Sequence, residues 1–266
     1  NLVASGATAL GAFAAGAAVP LQRAGLAPLD AYRLLLWAYA ALGLALVAIF
    51  ATLSAAVEPR HTTAPATRRR LGLHRSRGLI GRFAGLLAWN SFAAGFVAQA
   101  LVALWFVGRF GADAATLGTI FLLTNLAGAL SYPVAARLAA RIGLVNTMVF
   151  THLPSNVLLM LVPAMPTLPL AAAVLVARHA LSQMDRPARE SYTMAVVAPD
   201  ERTAAAGLLS VATDLAGAAA LALAGIVAQA VAPGWLFVIA GVGRIGYNAA
   251  LFLTFRHIRP PEEVGP

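Results

Sequence analysis

Residues 181–192 read LSQMDRPARESY, between the apolar runs LPLAAAVLVA (168–177) and TMAVVA (193–198). Asp185, Arg186, Arg189 and Glu190 crowd into this stretch, with Pro187 among them. What these charges do depends on the solvent of the chain. Of the 266 residues 60% are hydrophobic and 11% charged, with a mean hydropathy of +0.79. A soluble domain is about 45–50% apolar and about 25% charged. The composition therefore points to a lipid bilayer, and the useful unit of organisation is the membrane span.

Composition also removes whole classes of chemistry. All 19 basic residues are arginine, so Schiff-base lysines and the GxxxxGK[ST] phosphate loop are excluded. The chain has no cysteine, which excludes thiol catalysis, disulfides and thiolate metal sites. No HExxH motif occurs and the five histidines are scattered. No metal, no cofactor and no enzymatic activity are predicted. Asn1 opens inside an apolar run without a basic leader or cleavage site, and the expectation is that natural sequence precedes it.

A span needs about 20 mainly apolar residues. Eight segments qualify, near 2–19, 33–54, 83–107, 114–136, 144–162, 168–198, 203–230 and 234–255. Arginine distribution orients them. With Asn1 cytoplasmic, twelve arginines fall in cytoplasmic segments: Arg60, Arg68, Arg69, Arg70, Arg75, Arg77, Arg82, Arg137, Arg141, Arg202, Arg256 and Arg259. Only Arg23, Arg33 and Arg109 fall opposite. This asymmetry follows the positive-inside rule and predicts an inner, multi-pass plasma-membrane protein with both ends of the chain cytoplasmic. The expected organisation is two spans in 1–54, a basic cytoplasmic linker in 55–82, six helices in 83–258 and a tail in 259–266. The arginine-rich linker could also suit nucleic acid or anionic lipid; a topology anchor is the simpler reading, and no nucleic-acid partner is predicted.

The opening stretch admits two readings within this frame. Either the sixth span ends near Met184 and an amphipathic piece follows, or one helix runs from Leu168 to Ala198, about 45 Å long, kinked by Pro187. At about 100° per residue, Arg178, His179, Ser182, Asp185, Arg186, Arg189 and Glu190 fall on one half of the helix. The stripe stays in phase on both sides of Met184, which favours the single helix. Asp185 with Arg189, and Arg186 with Glu190, stand at i,i+4 spacing and can neutralise each other. Other spans carry Asn90, Asn125 and His152, for which interhelical hydrogen bonding is the expected role, and Asp214 and Arg244 near mid-depth. Lipid-facing charges there cost about 2.5–3.5 kcal/mol each, so they should face protein or water. They line a transport path or act as helix–helix glue, for example through an Asp214 pair with Arg178 or Arg244.

The run RHALSQMDRPARESYTMAVVAPDERTAAAG (178–207) resembles the tenth helix, cytoplasmic turn and start of the eleventh helix of the major facilitator superfamily. RLAARIG (137–143) resembles a degenerate copy of that family's signature turn, roughly Gly-x-x-x-Asp-Arg-x-Gly-Arg. Arg141 and Gly143 match it, whereas Ala140 and Leu144 replace the acidic and final basic positions. Eight spans with a basic linker after the second would correspond to helices five to twelve of twelve. The resemblance implies an all-α integral membrane bundle of two six-helix halves, with a solute site between them reached by alternating access. It implies a cavity lined by Arg178, Ser182, Asp185, Arg186, Arg189, Glu190, Asp214 and Asn90. Arg189 or Arg178 would meet substrate, and Asp185 or Glu190 would carry a coupling proton. The turn residues Arg141, Gly143, Asp200 and Arg202 would form a gate, with Arg141 pairing to an acid at the inner end of the tenth helix. The expected partners are a small-molecule solute, protons and the bilayer, with the protein working as a monomer. The rival readings are a non-transporting receptor or scaffold of the same fold, and a membrane enzyme.

Overall fold

A computed structural model describes residues 7–8, 10–11, 13–14, 16–52 and 73–256. Helices, turns and short connections account for all of them, with no strand among the described residues. The helices are α1 (Ala18–Arg23), α2 (Pro28–Ala51), α3 (Arg77–Gly95), α4 (Gln99–Phe110), α5 (Ala114–Ile142), α6 (Leu144–Leu161), α7 (Leu168–Ser182), α8 (Asp185–Val196), α9 (Arg202–Ala230) and α10 (Trp235–Phe255). Among the described residues six segments are long and apolar enough to cross a bilayer: Pro28–Ala51, Arg77–Phe110, Ala114–Ile142, Leu144–Ala164, Pro199–Ala230 and Trp235–Phe255. The chain is a helical, multi-pass membrane protein.

Local chemistry accounts for the boundaries. Proline opens α2 and stands in the first turn of α7, where its missing N–H is not needed. Gly111 ends α4 at φ +66° and Gly143 ends α5 at φ +86°, conformations that side chains with a Cβ resist. Asp113 caps α5 by accepting the Thr116 N–H at 2.8 Å. Hydrogen bonds from Thr116 hold the Asp113 carboxyl below its ordinary pKa. The expected cytoplasmic turn at 137–143 is therefore the last turn of α5 followed by Gly143. Most of the expected linker, much of the expected first span and the 259–266 tail lie outside the described residues. α3 begins at Arg77, so Arg77 and Arg82 belong to a helix.

Two of the expected spans are interrupted. The third is α3 and α4, separated at 96–98 where Ala98 turns extended at ψ 147°. The sixth, expected as one long helix from 168 to 198, is α7 and α8 with a break at Gln183–Met184. Fifteen and twelve residues each fall short of the about 20 a span needs. Pro187 explains where the break sits. It has no N–H for the Gln183 carbonyl, which accepts the Arg186 N–H at 3.3 Å instead. A helix that starts at Asp185 places Pro187 in its first turn, where a proline is tolerated.

Packing divides the bundle into layers. One apolar cluster joins Ile80, Phe83 and Leu87 of α3 to Met148 of α6, Tyr192 of α8, Leu209 of α9 and Phe255 of α10. Phe83 meets Phe255 edge-on at 5.4 Å between ring centroids. A second cluster joins Trp105 and Phe106 of α4 to Phe121 of α5, Leu159 of α6, Leu175 of α7, Ala220 of α9 and Phe237 of α10. Along α3–α4, α6, α7–α8 and α10 the stretches between the two clusters carry polar side chains, among them Asn90, His152, Arg178 and Arg244, which sets a polar layer midway through the bundle. α2 stands apart, with none of its apolar window buried.

Candidate functional site

The polar layer is built from several helices at once. α3 contributes Asn90; α6 contributes Thr151, His152, Ser155 and Asn156; α7 and α8 contribute Arg178, Ser182 and Asp185; α10 contributes Asn248; all are buried. Arg244 of α10 is half-buried between the same layers. A cavity of about 300 Å³ opens here, walled by α3, α4, α5, α6, α7, α8 and α10. Both helix interruptions border it, through Val97 and Gln99 on one side and Gln183 and Asp185 on the other. Gln183 is held close to α5, since a Cβ on Gly128 would lie 2.8 Å from its Cγ. In a bilayer, non-helical backbone is tolerated where it meets protein or a watery cavity, and both breaks satisfy that condition.

The cavity is electrostatically one-sided. Among the described residues Arg178, Arg186, Arg189 and Arg244 line it, against a single carboxylate, Asp185. Asp185 makes the expected i,i+4 pair with Arg189, at 3.8 Å. Arg178 is only 8% exposed. Its guanidinium reaches His179 Nδ1 at 3.5 Å, and its carbonyl accepts the Ser155 hydroxyl at 3.1 Å. No carboxylate lies within ion-pair distance of Arg178 or Arg244 among the described residues, and the Nε of each is buried without a partner there, as is Asn90 Oδ1. Deeper in the same layer, His152 Nδ1 pairs with Asn248 Oδ1 at 3.2 Å. Thr124 and Asn125 instead donate to the Phe121 carbonyl of their own helix, at 2.9 and 2.7 Å.

Six of the expected cavity residues converge: Asn90, Arg178, Ser182, Asp185, Arg186 and Arg189. Glu190 is exposed and outside the lining, one residue and so ~100° round α8 from Arg189. Asp214 is also exposed and outside it, because α9 turns Leu209, Ala220 and Ala224 inward and presents Ser210 and Asp214 outward. Asp214 pairs with neither Arg178 nor Arg244. Arg244, weighed in the sequence as a glue residue, belongs to the cavity, as do Gln99 and His179.

At the end of the bundle near Leu73, the dominant acid is Glu201 rather than either residue flanking it. Its side chain is fully buried. It accepts the backbone N–H groups of His74, of Arg75 at 2.7 Å and of Ser76 at 2.9 Å, and sits 2.6 Å from His74 Nδ1. Asp200 Oδ2 lies 3.5 Å from the other ring nitrogen, His74 Nε2. Ser76 completes the joint by accepting the Ala198 N–H at 3.4 Å. The turn before α9 thereby fastens the backbone of residues 74–76, immediately ahead of α3. Arg141 and Arg202 are exposed, and among the described residues Arg141 makes no ion pair. Gly143 is the positive-φ stop of α5 described above.

Among the described residues no three His, Cys, Asp or Glu side chains gather as a metal site would require. Among the described residues the polar layer gathers fixed positive charge, one carboxylate and neutral hydrogen-bonding groups around a small space. Comparison with protein-family models, with curated proteins and with solved structures gives no match.

Proposed function

We propose that the protein is a secondary active transporter that moves a small solute through the mid-depth cavity by alternating access. The observation that carries this reading is the cavity whose charges are left over. A scaffold's buried charges satisfy one another, since an unpaired buried charge costs several kcal/mol. Here Arg178 and Arg244 face the space without a carboxylate partner among the described residues. Interrupted helices at a midplane site are how transporters expose backbone to solute and ions. The resemblance of 137–143 and 178–207 to the major facilitator superfamily agrees with this reading, as does the lack of a phosphate-loop motif. In that architecture the outward face of α9, with Ser210 and Asp214, would lie against a second half. A lipid-facing Asp214 would cost about 2.5–3.5 kcal/mol. Asp185 is the proton carrier in this scheme, because it is the carboxylate that lines the cavity.

The absence of cysteine makes a direct test available. Ser182→Cys, and Thr124→Cys as a second position, place one thiol each on the cavity wall. A membrane-impermeant maleimide is applied to right-side-out and inside-out vesicles. Alternating access requires the same thiol to be labelled from both sides. Labelling of both positions from one side only, or from neither, refutes transport and favours the receptor or scaffold reading.

A further inference from the structure

We infer that the cavity binds a small organic oxyanion, held between Arg178 of α7 and Arg244 of α10. This rests on the transporter reading for its purpose but on the site alone for its chemistry. Four arginines against one aspartate line the space. The aspartate is engaged by Arg189 at 3.8 Å, so the surplus charge sits on the other guanidiniums. Arg178 and Arg244 arrive from different helices, and each has a buried Nε without a partner among the described residues. A guanidinium presents planar paired donors that match carboxylate, sulfonate or phosphate oxygens. The α4 N-terminus adds to the same field: Gln99, its first residue, lines the cavity, and the unbonded N–H groups of a helix start favour negative charge. Asn90, whose Oδ1 is also unpartnered among the described residues, supplies a neutral contact for the rest of the molecule.

The alternatives fit the site less well. A cationic solute would meet Arg178 and Arg244, neither with a carboxylate at ion-pair distance among the described residues. A neutral one would leave those two guanidiniums without a counter-charge at that distance. At about 300 Å³ the cavity is at the small end of ligand pockets, which span about 300–1,000 Å³. A single-ring or short-chain anion suits it.

The test uses size-matched probes on the full chain in detergent micelles at constant ionic strength. Benzenesulfonate, benzoate and phenyl phosphate are the anionic arms; benzenesulfonamide and phenyltrimethylammonium are the neutral and cationic ones. At least one anion should raise the thermal midpoint in a saturable way while the neutral and cationic probes do not. Which anion binds best separates carboxylate, sulfonate and phosphate recognition. Arg178→Gln and Arg244→Gln should each weaken that binding by about tenfold or more, and Arg244→Lys should restore part of it. A stronger response to benzenesulfonamide or phenyltrimethylammonium than to every anion, or unchanged anion affinity in the Arg178→Gln/Arg244→Gln double variant, overturns the inference. The two readings fail separately. Anion binding with one-sided thiol labelling keeps the site and removes transport. Two-sided labelling without anion binding does the reverse.

Discussion

At Gly95 the backbones of α3 and α9 approach closely, and Gly95→Ala tests that approach. Gly95 is the last residue of α3, immediately before the interruption at 96–98, and it abuts α9. A Cβ there would lie 2.6 Å from Ala220 Cβ, 2.9 Å from the Gly217 carbonyl oxygen and 3.2 Å from Leu221 N. Carbon atoms rest at about 3.5–4.0 Å, so the helices must part by roughly 1 Å. Two of the three obstacles are backbone, which a rotamer change cannot move. Overpacking of this kind costs about 1–3 kcal/mol. Replacing glycine by alanine in a helix returns about 0.5–1 kcal/mol, which leaves a net loss centred on roughly 1 kcal/mol and reaching about 2.5 kcal/mol. Gly85→Ala is the control. It lies on the same helix with nothing within 4 Å of the added Cβ, and should be neutral or slightly stabilising. Unfolding in detergent micelles, followed by tryptophan fluorescence, should rank Gly95→Ala below wild type and Gly85→Ala at or above it. Ala220→Gly in the Gly95→Ala background should restore part of the loss, because the 2.6 Å contact goes and the carbonyl contact stays. Equal stability of the two single variants would falsify the close approach of α3 and α9.

Three further outcomes follow from the polar groups. His152 and Asn248 pair at 3.2 Å inside the bundle; a His152→Phe and Asn248→Leu double-mutant cycle should return a coupling near ~0.6 kcal/mol and below about 1.7 kcal/mol, the range for polar pairs in membranes, and zero coupling removes the pair. Glu201→Ala withdraws the acceptor of three N–H groups, so hydrogen exchange at residues 74–76 should quicken by roughly tenfold or more while α6 amides hold their rates; unchanged exchange at 74–76 would show that Glu201 does not hold the segment ahead of α3. In the Ser182→Cys background, the ratio of labelling from the two sides should shift with pH, and Asp185→Asn should abolish that shift whereas Glu190→Gln should leave it. Loss in Glu190→Gln with retention in Asp185→Asn moves the proton site to α8's exposed face.

Much of this architecture can be read from residue order, because bilayer spans and glycine or proline stops are local signals. The bundle after residue 76, the turns at Gly111 and Gly143, and the Asp185–Arg189 pair all follow from spacing. The two interruptions do not. The polar stripe runs in phase across Gln183–Met184, so periodicity alone gives a continuous helix. The 96–98 break carries neither glycine nor proline. Asp214 and Arg244 occupy similar mid-helix positions in the sequence, yet one faces out and the other in. The rotation of each helix is set by which small residues pack, here Ala205, Ala220 and Ala224 on α9, and an alanine-rich helix offers several such faces. Glu201 escapes for another reason. An acid at a helix start ordinarily serves its own first turn, and nothing local says that it serves α3, more than a hundred residues earlier.

The position of the two interruptions relative to the charge supports a single physical account of the cavity. Intact helices hide their N–H and C=O groups, so the ligand-facing field of a helical bundle comes from side chains alone. Interrupting α3–α4 and α7–α8 at the polar layer adds backbone dipoles to that field where Arg178, Asp185 and Arg244 stand. It also leaves α4 and α8 joined to their partners through a few residues, while Trp105 and Phe106 of α4 and Tyr192 of α8 anchor each helix in an apolar cluster. Hinges of this kind need only a few residues at element ends to absorb the change. The Asp185–Arg189 pair lies entirely within α8, beyond the break, and Arg178 lies within α7, before it. A pivot at Gln183–Met184 therefore changes the distance between Arg178 and Asp185 while leaving the Asp185–Arg189 pair intact. Occupation of the Arg178–Arg244 site by an anion would then act on that joint from the α7 side.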